Sequence, residues 1–230
     1  MFTELVDRLR CPRPHADSWL VAATDVVERR RIVRGTLGCP VCAAEYPIEG
    51  GVARFDDGHA ATRPVPLHPL ATHGGEAATG EDAIDRLAAQ LNLVEAPEPV
   101  LLAGTWGALA AALVAQYPHV VAVVADSPVA LPLDERLSPL TTPAIRFPLA
   151  DRSVRAVALD AAHASPAWIA EAARVSGAGA RLVVPVAGTY PEAPWRRVAS
   201  DASVHVMERD APASAPVQLT RAPGNWLFGR

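Results

Sequence analysis

Four residues near the start of the chain have the types and spacing of a metal site. Cys39-Pro40-Val41-Cys42 is a short knuckle of the kind that offers two thiolates to one ion. Upstream, Cys11 stands where a second knuckle would fall across a hairpin, but the residue three positions on is Pro14. His15, one further, offers an imidazole instead. Cys11, His15, Cys39 and Cys42 together make a four-ligand set for zinc, and a closed set of that kind is structural because it leaves no position open to substrate. Without metal, the same segment is a hairpin carrying three reduced thiols.

A second group of residues lies at the ends of apolar runs. "VLLAGTWGALAAAL" reads as a buried strand, a glycine turn and a helix, with Gly104 and Gly107 in the turn. Such a turn bares backbone to a nucleotide-type ligand. Trp106 stands in its middle, either as a stacking platform for a base or as a side chain that fills the space from inside; filling is the expectation. "VVAVVAD" ends in Asp126, which reads equally as a ligand contact or as a cap in ordinary Asp-Ser-Pro turn chemistry. "LDAAHASPAW" holds Asp160, His163 and Ser165. Asp160 and His163 have the makings of an acid–base pair. The expectation is plainer: Ser165 caps the helix that Pro166 opens, and His163 sits in an exposed loop. No nucleophile elbow supports a serine hydrolase. His59, His68 and His73 are read as solvated.

The elements that position these residues follow from periodicity. "EDAIDRLAAQLNL" has Ile84, Leu87, Ala88 and Leu91 at helical spacing. Strands are expected at "PVLLAG", "HVVAVVAD", "PAIRFPL", "VRAVALDA" and "ARLVVPVAG", with helices at "GALAAALVAQY" and "SPAWIAEAARV". "VHVMERD" and "PVQLTRA" are expected to pair antiparallel. "SPVALPLDERLSPLTTPA" has four prolines and no helical stripe. Strands alternating with helices imply a parallel sheet covered on both faces. Three parts separate by composition: a cysteine-bearing part, 1–55; a Pro/Gly-rich linker, 56–80; and an α/β part, 81–230.

Half of the 230 residues are hydrophobic and a fifth are charged, which is a globular composition. Every basic side chain other than histidine is arginine, so Schiff-base and lysine-base chemistry are excluded. The net charge of −4 directs the chain to neither nucleic acid nor an anionic membrane. "ERRRIVR", from Glu28 to Arg34, is the one basic cluster, read as solvent-facing positions on an exposed hairpin rather than an RNA contact. No run approaches a membrane span. The opening residues carry acids and no apolar core of a secretory leader, and the odd cysteine count suits a reducing compartment; both point to the cytoplasm.

Two resemblances add to this. "LVDRLRCPRPH", a hairpin and "CPVCAAEYPIEGGVARF" resemble the short zinc ribbon that partners or precedes methyltransferases, with one cysteine of the first knuckle missing. "VLLAGTWGALA", "VVAVVAD", "IRFPLADRSVRAVAL" and "WIAEAARVSGAGARLVVPV" resemble class I S-adenosylmethionine-dependent methyltransferases. The resemblance implies a Rossmann-like, mostly parallel seven-stranded sheet with its last strand antiparallel. It implies that the glycine turn holds the methionine end of the cofactor, Asp126 the ribose hydroxyls and Asp151 the adenine amine.

The chain departs from that pattern in several places. Leu102 stands at the acid position of the first strand, Trp106 at the second glycine and Arg155 at an aspartate; "SGAGA" alters the paired glycines. The expectation is a zinc-bearing, non-catalytic, methyltransferase-like accessory or scaffold protein that binds a protein partner and does not hold S-adenosylmethionine. The rival is an active methyltransferase with a pocket remodelled around Gly104, Trp106, Gly107, Asp126 and Asp151. An RNA-binding module is the weaker alternative. "APGNWLFGR" is read either as a docking tail or as a segment folded back on its own domain.

Overall fold

The computed structural model describes residues 1–56, 80–93, 98–188, 190, 191 and 193–210. The linker histidines, "PVQLTRA" and "APGNWLFGR" lie outside the described residues.

Among the described residues, eleven strands form one sheet. They are β1 (Val21–Glu28), β2 (Arg31–Gly38), β3 (Glu45–Glu49), β4 (Val52–Arg54), β5 (Val100–Ala103), β6 (Ala122–Ala125), β7 (Leu137–Thr141), β8 (Val154–Ala158), β9 (Ser176–Pro185), β10 (Trp195–Ser200) and β11 (Val204–Arg209). The helices are α1 (Gly80–Leu91), α2 (Ala110–Gln116) and α3 (Pro166–Val175). The strand order is β1-β2-β3-β4-β7-β6-β5-β8-β9-β11-β10. Strands β7, β6, β5, β8 and β9 are parallel, and β11 inserts antiparallel between β9 and β10. The last seven strands thus have the Rossmann-like, largely parallel arrangement expected.

The expected count of seven is corrected to eleven. β4 lies parallel to β7, pairing Ala53 with Leu140 and Arg54 with Thr141, so the cysteine-bearing hairpins extend the same sheet. The backbone reinforces this junction: Arg10 N–H donates to Pro148, and Ala150 N–H to Arg8. A bare parallel edge would leave a row of unpaired amides and carbonyls; β4 covers it.

The core follows the period-two alternation of the strands. Leu101, Ala103, Val123 and Ala125 face one apolar layer, shared with α3 and with Leu5, Leu9, Leu37 and Phe55 from the first 55 residues. Val100, Leu102, Ala122 and Val124 face the other, packed by Ile84, Leu87 and Leu91 of α1 and by Leu113 and Val114 of α2. Runs such as "VLLA" and "AVVA" are apolar throughout because both faces are covered.

Three more expectations are corrected. The third parallel strand is Leu137–Thr141, not the "PAIRFPL" that follows it; Pro139 disguises it, since proline inside a run argues against a strand. "VHVMERD" pairs with Trp195–Ser200 on one side and β9 on the other. Arg31 does not face solvent: it is buried, and its guanidinium donates to the carbonyls of Asp134 at 3.0 Å and Gly50 at 3.5 Å. In the same cluster Arg30 pairs with Glu4 and Arg34 with Asp25, so much of its charge is matched internally.

Candidate functional site

The four metal-ligand candidates converge. Cys11 follows a 3₁₀ helix at Thr3–Arg8, His15 lies in the irregular segment after it, and Cys39 and Cys42 follow the end of β2. Their ligand atoms all lie within 4.8 Å of one another. Cys11 Sγ is 3.7 Å from Cys42 Sγ, and Cys39 Sγ is 3.5 Å from His15 Nε2. A tetrahedral zinc with ordinary bond lengths needs about 3.8 Å between two sulfurs and about 3.6 Å between sulfur and nitrogen. The donor set therefore fits zinc in type and in spacing.

The surroundings prepare the ligands. His15 Nδ1 donates to the Ala16 carbonyl at 2.6 Å, which leaves the Nε2 lone pair facing the sulfurs. Burial pushes the Cys39 thiol up, but the backbone N–H groups of Cys42 and Val41 aim at its sulfur and bring it down to about 6. Ala43 N–H closes the knuckle on the Cys39 carbonyl at 3.0 Å. Burial raises Cys11, partly offset by the Tyr46 hydroxyl 3.3 Å from its sulfur. Tyr46 is buried and packs on Phe55 with ring centroids 4.8 Å apart. It was not singled out from sequence; within "YPIEGG", the alternation that turns Ile48 inward also turns Tyr46 inward.

The second constellation lies at the carboxyl ends of the parallel strands. The chain runs outward from β5 through β6 to β7 on one side and from β8 to β9 on the other, so the switch point lies between β5 and β8. Open α/β sheets bind ligands in the crevice outside those ends. Gly104 follows β5, Asp126 follows β6, and Asp160 and His163 follow β8.

Here the chain's own side chains meet. His163 Nδ1 is 2.7 Å from Asp160 Oδ1, and His163 Nε2 is 3.3 Å from Asp126 Oδ2. Asp126 also accepts from the backbone N–H and the hydroxyl of Thr142, which ties the end of β6 to the end of β7. Asp160 accepts from Thr105 N–H at 2.9 Å, joining β8 to the glycine turn after β5. A Cβ on Gly104, whose φ is +62°, would lie 2.0 Å from Asp160 Oδ2, so only a glycine admits this carboxylate. A Cβ on Gly107 would meet Ser127 Oγ at 2.7 Å.

His163 is not in an exposed loop. It is buried, with its ring centroid 4.9 Å from that of Trp168. Burial alone lowers an imidazole, but its hydrogen bonds to the Asp126 and Asp160 carboxylates raise it to about 9, so it bridges them as a cation. Burial likewise pushes Asp160 up, and its bonds to His163 and Thr105 hold it below the ordinary range. Ser165 caps α3 as expected, accepting from Trp168 N–H.

The remaining candidates lie elsewhere or play other parts. Trp106 is half-buried and packs on the apolar layer of α1 and α2. Leu102, at the acid position, is fully buried. Asp151 does not join Asp126: it precedes β8, at the opposite end of the parallel strands, and pairs with Arg174 at 2.9 Å with most of its side chain exposed. The Arg155 guanidinium donates to the Asn92 carbonyl at 2.9 Å. Residues 126–136 carry no helix, in keeping with their prolines.

No family model and no curated protein matches the chain. Solved structures with a similar fold include a geranyl diphosphate methyltransferase in complex with its substrate and sinefungin, 16% identical at a TM-score of 0.38 over 45% of this chain and 44% of that one. A putative S-adenosylmethionine-dependent methyltransferase from Methanococcus maripaludis is 7% identical at 0.44, over 57% and 85%. A complex of the Haloferax volcanii Trm112 methyltransferase activator with a putative methyltransferase gives 22% at 0.35, over 46% and 55%. The chain spans less than half the length of the first of these. At such scores none of them bears on the chemistry of this chain.

Proposed function

We propose that this chain is a methyltransferase-like protein that does not transfer methyl groups and acts by binding a protein partner, with zinc as a structural staple in its first 55 residues. One observation carries the first part. The crevice at the switch point is bridged from within by Asp126, His163 and Asp160, and the Asp160 carboxylate lies over Gly104, where a ligand would need bare backbone. Burial of Leu102 at the expected acid position agrees with it.

The zinc reading rests on a donor set that matches a tetrahedron in distance and on a histidine already oriented by Ala16. Cys11, Cys39, Cys42 and His15 would hold the ion, which would cross-link the segment before β1 to the end of β2. Three free thiols suit a cytoplasmic setting.

The partner reading draws on Val41 within the knuckle and on Trp19 and Val21 at the start of the hairpin, which are 60%, 57% and 62% exposed. The matched arginines of "ERRRIVR" weigh against RNA. No helix of the described residues is long and apolar enough to cross a membrane.

Titration calorimetry of the zinc-loaded chain with S-adenosylmethionine tests the central part. No heat of binding at ligand concentrations up to the millimolar range is expected; micromolar binding would overturn the proposal and favour the active enzyme.

A further inference from the structure

Three sulfurs crowd together at the knuckle with no bond between them. Cys11, Cys39 and Cys42 are all free thiols. Cys11 Sγ and Cys42 Sγ are 3.7 Å apart, in van der Waals contact, although the two residues stand 31 positions apart in sequence. A disulfide needs about 2.05 Å between its sulfurs, so a short approach of this pair makes a covalent bond.

Access separates the three. Cys11 and Cys39 are buried, whereas Cys42 is half-buried and follows Val41, which is exposed. A dissolved oxidant therefore meets the Cys42 sulfur first, with the Cys11 sulfur in contact behind it. An accessible sulfur beside a resolving one is the arrangement of a redox-sensing pair. Cys39 is the less suited partner. The N–H groups of Val41 and Cys42 hold its sulfur inside the knuckle, and a bond from Cys39 to Cys42 would close only a very short loop. A bond from Cys11 to Cys42 closes a far longer one and takes more freedom from the unfolded chain.

We propose that Cys11 and Cys42 form a reversible disulfide under hydrogen peroxide, and that this bond takes over the cross-link that zinc supplies in the reduced chain. First, the Cys42 thiolate gives an electron pair to one peroxide oxygen. The O–O bond breaks, hydroxide leaves, and Cys42 becomes the sulfenic acid. Then the Cys11 thiolate attacks the Cys42 sulfur, the S–S bond forms and a second hydroxide leaves. The two sulfurs lose two electrons in all, peroxide gains them, and both hydroxides take up protons to become water. Only Cys39 and His15 then remain for a metal, too few for a closed tetrahedral site. Residue 11 stays tied to the knuckle, next to the backbone bonds that join Arg8 and Arg10 to Ala150 and Pro148. Metal release rests on the zinc reading above; the disulfide itself does not.

The test treats the full zinc-loaded chain with hydrogen peroxide at neutral pH. The expected result is release of one zinc per chain to a chromogenic chelator, a fall from three free thiols to one, and a mass lower by two hydrogens. Peptide mapping should find Cys11 joined to Cys42. Dithiothreitol should restore the three thiols and zinc binding. The oxidised, metal-free chain should melt roughly 5–10 °C above the reduced, metal-free chain. Cys39→Ser, which lacks a complete ligand set, should still form the bond.

A Cys39–Cys42 bond, a bond between chains, or Cys42 carried on to sulfinic acid without a cross-link would overturn the proposal. So would equal midpoints of the oxidised and reduced metal-free chains. If Cys39→Ser does not fold, the bond mapped in the wild type decides alone. A purified chain that holds no zinc would defeat the zinc reading, while the same mapping would still find or refute the Cys11–Cys42 bond, so the two failures are distinct.

Discussion

Thr105 donates its backbone N–H to Asp160 Oδ2 across 55 residues of chain, and the Gly104 Cα beside it leaves no room for a side chain. Gly104→Ala is therefore a sharp substitution. It adds a methyl 2.0 Å from a partly buried carboxylate oxygen and places alanine at a φ of +62°. The left-handed backbone alone costs about 1–2 kcal/mol, and displacing the carboxylate adds to it. Urea unfolding should show a loss of at least about 2 kcal/mol. A loss under about 0.5 kcal/mol would mean that Asp160 is free to move aside.

His163 makes stability depend on pH. Its folded value, about 9, lies above the ordinary 6.5, so its contribution is fully present below about 6.5 and disappears as pH rises through 9. The size is on the order of 3 kcal/mol from the shift alone. Asp160 is held low, so its contribution is present above the ordinary carboxylate range and lost as pH falls below it. Unfolding free energy between pH 6 and 10 should fall for the wild type through pH 9. The fall should be much smaller in His163→Gln.

Zinc content and folding should move together. Mass spectrometry of the purified chain should find one zinc per molecule, because ligand atoms within 4.8 Å serve a single ion. Removing it with a strong chelator should lower the melting midpoint, since metal binding to such a set is folding energy. Cys39→Ser should lose both the metal and the chelator effect. His15→Cys should keep them, restoring an all-thiolate site.

Tyr46 is the expected positioning residue for the same site. Its hydroxyl lies 3.3 Å from Cys11 Sγ and would donate to the thiolate with metal bound. Partners of this kind typically contribute 10–100-fold in metal affinity. Chelator competition should show a loss in that range for Tyr46→Phe, with a shifted thiolate-to-cobalt charge-transfer band in the cobalt form. Equal affinity and an unchanged band would assign Tyr46 to packing on Phe55 alone.

Much of this was written in local sequence. The cysteine spacing announced a ligand set because knuckle chemistry is short-range, and the apolar runs announced buried parallel strands because covered strands lose their polar alternation. What escaped was long-range. Pairing of β4 with β7 joins residues some 87 positions apart, Ala53 with Leu140, and no local pattern encodes that edge. Pro139 hid a strand whose identity comes from its neighbours. Asp126, Asp160 and His163 were each visible as chemistry, but not as one group. They meet only because parallel topology delivers the ends of β6 and β8 to the same rim, and a loop histidine becomes buried only when two carboxylates are there to hold it charged. Asp151 erred the other way: a plausible acid in a familiar phrase, delivered to the opposite end of the sheet.

The most direct measurement is the nitrogen-15 spectrum of the His163 ring as a function of pH, with and without S-adenosylmethionine. The internal bridge predicts both ring nitrogens protonated at neutral pH, titration near 9, and resonances unchanged by millimolar ligand. A ring that titrates near 6.5, or whose signals shift as ligand is added, would contradict a crevice closed by Asp126, His163 and Asp160.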